Sequence, residues 1–308
     1  MKVEKITHAF HDVDGTHSLI RQWEPVMSIV LNNVIDNGLD RADDANEVTR
    51  LINLSGTAIL PETDRFCVES AGLSALTQME WAIRRAIEND VITPDCDTSR
   101  NSEIIEKIWQ GFEVFDDYNE SPVLTEFLKE NTPKLFLQYE KVLNGACRDK
   151  NLESARKNPD EWLVKGSKGF MRMLKDKGVK NYFVTGAVIE KGKGMWEEIE
   201  ALGFEIGRDK LVEDVLGSTW TEKIPKNIVM KRLCEKMQID GKCVLVVGDG
   251  RSEISAGVGL GAFTVSRLNK TAKRQRELHM QLGTNMIIED FTDPLLIEHV
   301  STLKQSGG

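Results

Sequence analysis

The sequence predicts a doubly wound parallel α/β sheet, interrupted after its first strand by a large all-helical insert. Three observations carry this expectation. Short apolar runs alternate with amphipathic helical patterns through the second half of the chain. One further strand-like run stands alone near the N-terminus. Between the two lie about 150 residues almost without strand signal, punctuated by Gly56, Pro61, Pro94 and Pro159.

Taken in order, the first strand is expected at 6–11 (ITHAFH). Helical periodicity then covers 20–34, 45–54, 73–88, 102–112, 122–130 and 133–145, with Pro133 starting a new helix. The later strands are expected at 181–185, 243–247, 262–265 and 286–288. Each is a short apolar run closed by Gly or a polar residue, as in a strand buried on both faces. Helices at 166–177, 195–202, 228–237 and 271–282 separate them. The expected core is residues 1–18 and 160–308, and the expected helical domain is 19–159.

Composition narrows the function classes. The chain has 308 residues, enough for two domains with real cores. With 49 acidic against 40 basic residues the formal charge is -9, so neither nucleic acid nor a membrane surface is expected as a partner. No run approaches the roughly 20 apolar residues of a membrane span. The five cysteines, Cys67, Cys96, Cys147, Cys234 and Cys243, are widely spaced without a CxxC pair. They predict a reducing, cytoplasmic setting rather than a disulfide framework or thiolate metal site. The N-terminus is too acidic for a signal peptide.

Ligands of open parallel sheets sit beyond the carboxyl ends of the strands. Asp12-Val13-Asp14-Gly15-Thr16 follows the first expected strand, Thr185-Gly186 closes the second, and Gly248-Asp249-Gly250-Arg251-Ser252-Glu253 follows a third. Lys223-Ile224-Pro225-Lys226 precedes a helix. Asp12, Asp249 and the Asp12–Asp14 backbone suit a hard, oxygen-seeking cation such as Mg²⁺. The cation would offset the repulsion between these carboxylates and a phosphate dianion. Asp12 can then attack phosphorus, and Asp14 can protonate the leaving oxygen and later deprotonate water. Thr185 and Lys223 would hold the phosphate oxygens.

DVDGT, VTG, a lysine before a helix and GDGRSE, in this order, resemble the four motifs of the haloacid dehalogenase superfamily. The resemblance covers roughly half the chain. It implies a Rossmann-like core, Mg²⁺ dependence and phosphoryl transfer through Asp12. It further implies Asp14 as acid/base, Thr185, Gly186 and Lys223 as phosphate binders, and Asp12, Asp14 and Asp249 around the metal. An Asp two residues after the nucleophile is the phosphatase and phosphomutase pattern. The insert segment SAGLSALTQME (70–80) is similar to one recurring in phosphoglycolate-phosphatase-like proteins, with Ala71-Gly72 where Thr-Gly is expected. Gln78 within it is the residue expected to touch substrate.

Two departures stand out. Glu253 replaces the usual Asp, and it could orient Asp249, bind a metal water, or only pair with the following helix. Lys226 competes with Lys223, although Lys223 fits the spacing better, 26 residues before Asp249. His8 and His11 are three apart on a strand and should face opposite sides, so no shared metal is expected. His17 is expected near the site entrance, and Trp23, Trp81 and Trp109 in the core of the insert. The expected activity is a cytoplasmic, Mg²⁺-dependent phosphatase for a small phosphate ester such as a sugar phosphate or phosphoglycolate, acting as a monomer or homodimer. The helical insert would serve as a cap excluding water. The alternatives are a phosphomutase with the same core, or a non-catalytic sensor of a phosphometabolite.

Overall fold

The computed structural model describes residues 5–20, 23–41, 44–115 and 120–303. The chain divides into two compact units. One comprises Met1–Arg21, Leu152–Gly217 and Ile224–Gly308, the other Gln22–Asn151 and Ser218–Lys223. The helical unit thus ends at 151, short of the expected 159, and takes in a second piece at 218–223.

The first unit is built on a six-stranded sheet of order β3-β2-β1-β4-β5-β6. Its strands are β1 (His8–His11), β2 (Lys180–Val188), β3 (Asp214–Ser218), β4 (Val244–Gly248), β5 (Phe263–Arg267) and β6 (Met286–Ile288). β1 pairs in parallel with β2 on one side and β4 on the other, and β4, β5 and β6 continue in parallel. The strand order therefore reverses at β1, which opens a crevice at the carboxyl ends of β1 and β4. The Rossmann-like expectation holds.

Strand alternation sorts the core into two layers. Ala9, Phe183, Leu245 and Val247 join the cluster with Phe170, Met171, Leu174, Ile199 and Leu296. These last five lie on α8 (Ser167–Asp176), α9 (Met195–Ala201) and α13 (Pro294–Thr302). Phe10, Tyr182, Val184, Val244 and Val246 pack instead with Val229, Met230, Leu233 and Ala256. Those come from α10 (Lys226–Met237) and α11 (Arg251–Leu260). Apolar residues at every position of β4 follow from this coverage of both faces. A further helix, α12 (Lys273–Leu282), leads to β6.

The helical unit holds α1 (Trp23–Asn37), α2 (Ala45–Leu54), α3 (Pro61–Glu69), α4 (Ala75–Glu88), α5 (Asn101–Trp109) and α6 (Pro122–Leu143). The boundary between the units falls within α7 (Asp149–Lys157), which begins in the helical unit and continues into the sheet unit from Leu152. Phe66 and Trp81 stack at 3.7 Å, and Trp109 meets both edge-on. α6 runs straight through Pro133, against the expected break. Proline removes one helical hydrogen bond there, but Leu124, Leu128, Leu135, Phe136 and Val142 keep a buried stripe on both sides of it. β3 escaped the sequence reading because it is short and contains Gly217. A Cβ there would come within 2.5 Å of the Ala187 carbonyl, so close pairing with β2 needs glycine. The α3 and α13 helices, both opened by proline, were likewise missed.

Phe183 is fully buried and meets Phe204 edge-on. Phe183→Ala is expected to lower unfolding free energy by about 3–5 kcal/mol through lost burial and a cavity, read from the denaturation midpoint at unchanged m-value.

Candidate active site

Asp12 follows β1 directly, and its backbone N–H donates to the Val247 carbonyl at 2.9 Å, extending the pairing with β4. Even-numbered Phe10 and Asp12 face the layer of α10. Lys226 is the first residue of α10, after Pro225. Its Nζ donates to Asp12 Oδ1 at 2.6 Å and Glu253 Oε2 at 3.0 Å. Lys226 is 2% exposed and Glu253 not at all, so this is a buried charge cluster.

Glu253 stands three residues into the turn that opens α11. Its Oε1 accepts from the Gly250 N–H at 2.5 Å, and its Oε2 also accepts from Ser252 Oγ at 3.0 Å. A Cβ at Gly248 would overlap the Glu253 side chain. The longer glutamate thus reaches back over a glycine-bounded loop to the lysine and caps its own helix. Helix capping is one of the roles left open for Glu253, whereas the bond to Lys226 was not among them.

The loop after Asp12 folds tightly. Gly15 has φ +73, a conformation that favours glycine, and a Cβ there would run into the Asp249 carboxylate. Its N–H donates to the Ser18 carbonyl at 3.0 Å, and its carbonyl accepts from Arg267 at 3.0 Å. Thr16 Oγ1 lies 2.9 Å from Asp249 Oδ1 and 3.3 Å from Asp12 Oδ2, bridging the two carboxylates. Asp14 is half-buried at the loop's edge. Thr185 is buried and Gly186 half-buried in β2. Because His11 is opposite Phe183, Thr185 comes two positions further on, at the same carboxyl edge as Asp12.

Two expected residues belong to the helical unit. Lys223 belongs to the helical unit, where its Nζ contacts Glu80 at 2.5 Å and sits over the Phe115 ring. Lys226, not Lys223, is the lysine brought to Asp12. Gln78 is 3% exposed, and its amide donates to Ser70 Oγ at 2.8 Å within the same helical unit. Packing of α4 accounts for it, because that face of the helix is buried at every turn. Sequence reading also missed Thr16 and Arg267. DVDGT announces the former, whereas nothing local announces an arginine 252 residues away. His17 is fully buried, not at an entrance. His8 stacks on Tyr182 while His11 meets Phe170 and Phe183, the opposite faces expected of their spacing.

Burial pushes the Asp12 carboxyl up to about 6; Lys226 opposes the shift and Glu253 adds to it. Burial and the charges of Asp12 and Glu253 push Asp249 up to about 8. Burial would raise Glu253 as well, but Lys226 and the loop amides outweigh it and hold it low. Burial disfavours the charged form of Lys226, yet the two carboxylates outweigh this and raise it. Burial lowers His11 to about 4 and His17 well below its usual value.

One ammonium therefore faces three carboxylates. Oxygens of Asp12, Asp249 and Glu253 lie within 4.8 Å of one another. An oxygen-only donor set with surplus negative charge fits a hard divalent cation. Among the described residues, no helix is long and apolar enough to cross a membrane.

No family model and no curated protein matches the sequence. Solved structures do match. A phosphonoacetaldehyde hydrolase like protein from Oleispira antarctica aligns with TM-score 0.51 at 12% identity, over 99% of this chain and 96% of its own. A hydrolase from Pseudomonas syringae aligns with TM-score 0.53 at 12% identity, over 97% and 99%. At this identity the likeness is one of fold: a Rossmann-like α/β core with a helical insert, as the motif resemblance to the haloacid dehalogenase superfamily implied.

A carboxyl raised above its ordinary 3.8 holds a proton in the folded chain that the unfolded chain releases. Cation-free protein should therefore lose stability as pH rises from about 4 to about 8. Asp249→Asn should flatten that slope and be the more stable protein at pH 8 by about 1 kcal/mol or more, one pKa unit being worth about 1.4 kcal/mol. Urea titrations in chelator across this range check both.

Proposed function

We propose that the protein is a Mg²⁺-dependent phosphoric monoester hydrolase for a small phosphorylated metabolite, with Asp12 as nucleophile. The fold does not assign the chemistry; the site supports it. The observation that carries the reading is the buried Lys226 ammonium bonded to both Asp12 and Glu253, with Asp249 within ligand distance.

Lys226 favours the ionised form of Asp12 and offers positive charge to an incoming phosphate dianion. Asp12 attacks phosphorus, forming the aspartyl-phosphate as the ester oxygen leaves with a proton from Asp14. Asp14, then ionised, deprotonates the water that attacks phosphorus, and Asp12 and inorganic phosphate are released. The Thr185 hydroxyl and the Gly186 N–H hold phosphate oxygens. Lys226 takes the phosphate-binding role that the sequence spacing gave to Lys223. Asp12 and Asp249 would hold the cation, joined by the Asp14 backbone and, directly or through water, by Glu253. Once bound, the cation would neutralise charge on the transferring phosphoryl group. Thr16 and Gly15 keep Asp249 beside Asp12.

A screen of phosphorylated sugars and small phosphorylated acids with Mg²⁺, scored by phosphate release, tests this reading. Release from none, with tight binding of one, would favour the sensor. For a substrate found this way, Asp12→Asn should abolish turnover with an unchanged circular dichroism spectrum, and Asp14→Ala should cost roughly 10²–10⁴-fold in kcat. Activity of the Asp12 variant near that of the parent would end the nucleophile assignment.

The two lysines separate in a second experiment. Lys226→Ala should lose on the order of 10²-fold or more in kcat/KM. Lys223→Ala should act first on the thermal stability of the helical unit, because it strips a partner from buried Glu80. A larger kinetic loss at Lys223 would restore the original spacing-based assignment.

A further inference from the structure

The proposed chemistry lies on the α10 side of β1 and leaves unexplained a buried polar chain on the other side. Odd-numbered His11 points away from Asp12, into the layer of α8. There Asn181 Nδ2 donates to the carbonyls of Met171 at 3.0 Å and Leu211 at 3.1 Å. That arrangement turns Asn181 Oδ1 toward His11 Nε2, at 3.1 Å. An amide oxygen only accepts, so His11 carries its proton on Nε2 and presents a lone pair at Nδ1. His17 Nε2, 3.0 Å from that lone pair, must then donate. His17 Nδ1 is left to accept from the Ser167 hydroxyl at 2.6 Å. The hydrogen bonds run one way: Ser167 to His17 to His11 to Asn181 to two backbone carbonyls.

All four residues are 0–1% exposed. The His17 ring also stacks on Phe291 at 4.5 Å and meets Phe183 edge-on at 5.6 Å. A phenylalanine would fill the same slot without any polar group to desolvate. What the imidazole adds is direction, since a fully satisfied buried chain accepts one arrangement of its members. His17 is the neighbour of Thr16, and its carbonyl accepts from the Val164 N–H at 2.9 Å. The loop that bridges Asp12 to Asp249 through Thr16 is thus anchored from behind by this ring.

We propose that His17 is a positioning residue. Through His11, the Asn181 amide sets which nitrogens of His17 donate and accept, and the ring so held keeps the Thr16 hydroxyl between Asp12 and Asp249. The kinetic part of the test rests on the phosphatase reading; the structural part does not.

In ¹⁵N-histidine-labelled protein, both His11 and His17 should be neutral Nε2–H tautomers with slowly exchanging ring protons. A Nδ1–H form at either ring would overturn the chain of bonds. His17→Phe keeps the stack and removes the polar atoms. Its Gly15 and Ser18 amides should exchange about tenfold faster or more while the β4 amides stay unchanged. Its kcat should fall roughly 10–100-fold with KM changed less than about twofold. His17→Gln, whose amide can still donate to His11 Nδ1, should recover much of both losses. Unchanged loop exchange and kcat in the Phe variant would overturn the proposal. If that variant does not fold, Ser167→Ala, which removes only the first donor, should show the same changes in smaller measure, and no change there would also overturn it. Should the parent release phosphate from no ester, the phosphatase reading fails by itself, and ring tautomers and loop exchange decide the positioning role.

Discussion

The ammonium of Lys226 is the contact around which this site is organised. A carboxylate moved into a protein interior loses most of its hydration, and one left alone there would stay protonated. Asp12 and Glu253 lie next to each other at the carboxyl ends of β1 and β4, where the parallel sheet leaves little water. Lys226, 2.6 Å from one and 3.0 Å from the other, lets both carry charge. The lysine must itself be held, and it is, as the first residue of a helix whose buried face is locked into the sheet by Val229, Met230 and Leu233. Its place is therefore fixed by apolar packing, and the charges of the site by its place.

Asp249 is the member that this arrangement does not satisfy. It shares the Thr16 hydroxyl with Asp12, no lysine bonds it among the described residues, and its carboxyl is pushed up to about 8. The same loop that brings it close forbids anything but glycine at position 15, where a Cβ would collide with the carboxylate. A backbone that spends a left-handed glycine to hold two carboxyls this close stores repulsion whenever both are ionised. Such a device makes physical sense where a cation relieves it, and the oxygen-only donor set is of the kind such an ion takes.

Much of this was legible in the sequence. The alternation of apolar runs gave β1, β2, β4, β5 and β6, because strands covered on both faces are rich in apolar residues even where they carry a buried polar one. DVDGT and GDGRSE located the two acidic loops for a related reason: tight turns beside carboxylates need glycine at set positions. What was not legible depends on contacts distant in the chain. β3 is an edge strand with a glycine in it, and its membership is decided by the approach of Ala187. Pro133 predicts a break that a continuous buried stripe overrides. The burial of His17 is written in Ser167, Phe291 and His11, none of which can be placed beside it by spacing.

The two lysines show most plainly where spacing runs out. Lys223 and Lys226 are three residues apart, and each ends at a buried carboxylate, Glu80 for one and Asp12 for the other. Sequence distance to Asp249 favours Lys223, but distance along the chain does not say where a helix begins. α10 starts after Pro225, so Lys226 is the residue whose side chain leaves the first turn, while Lys223 is still in the segment that packs with the helical unit. There, burial alone would keep Glu80 protonated. The charges of Lys223 and Arg84 reverse that and hold its carboxyl down at about 2. Arg84 in turn bonds Glu120, so the helical unit owns a complete charge network and has its own use for the first lysine. A proline between two lysines thus divides them between two interiors, and the residue just inside the helix is the one left for Asp12.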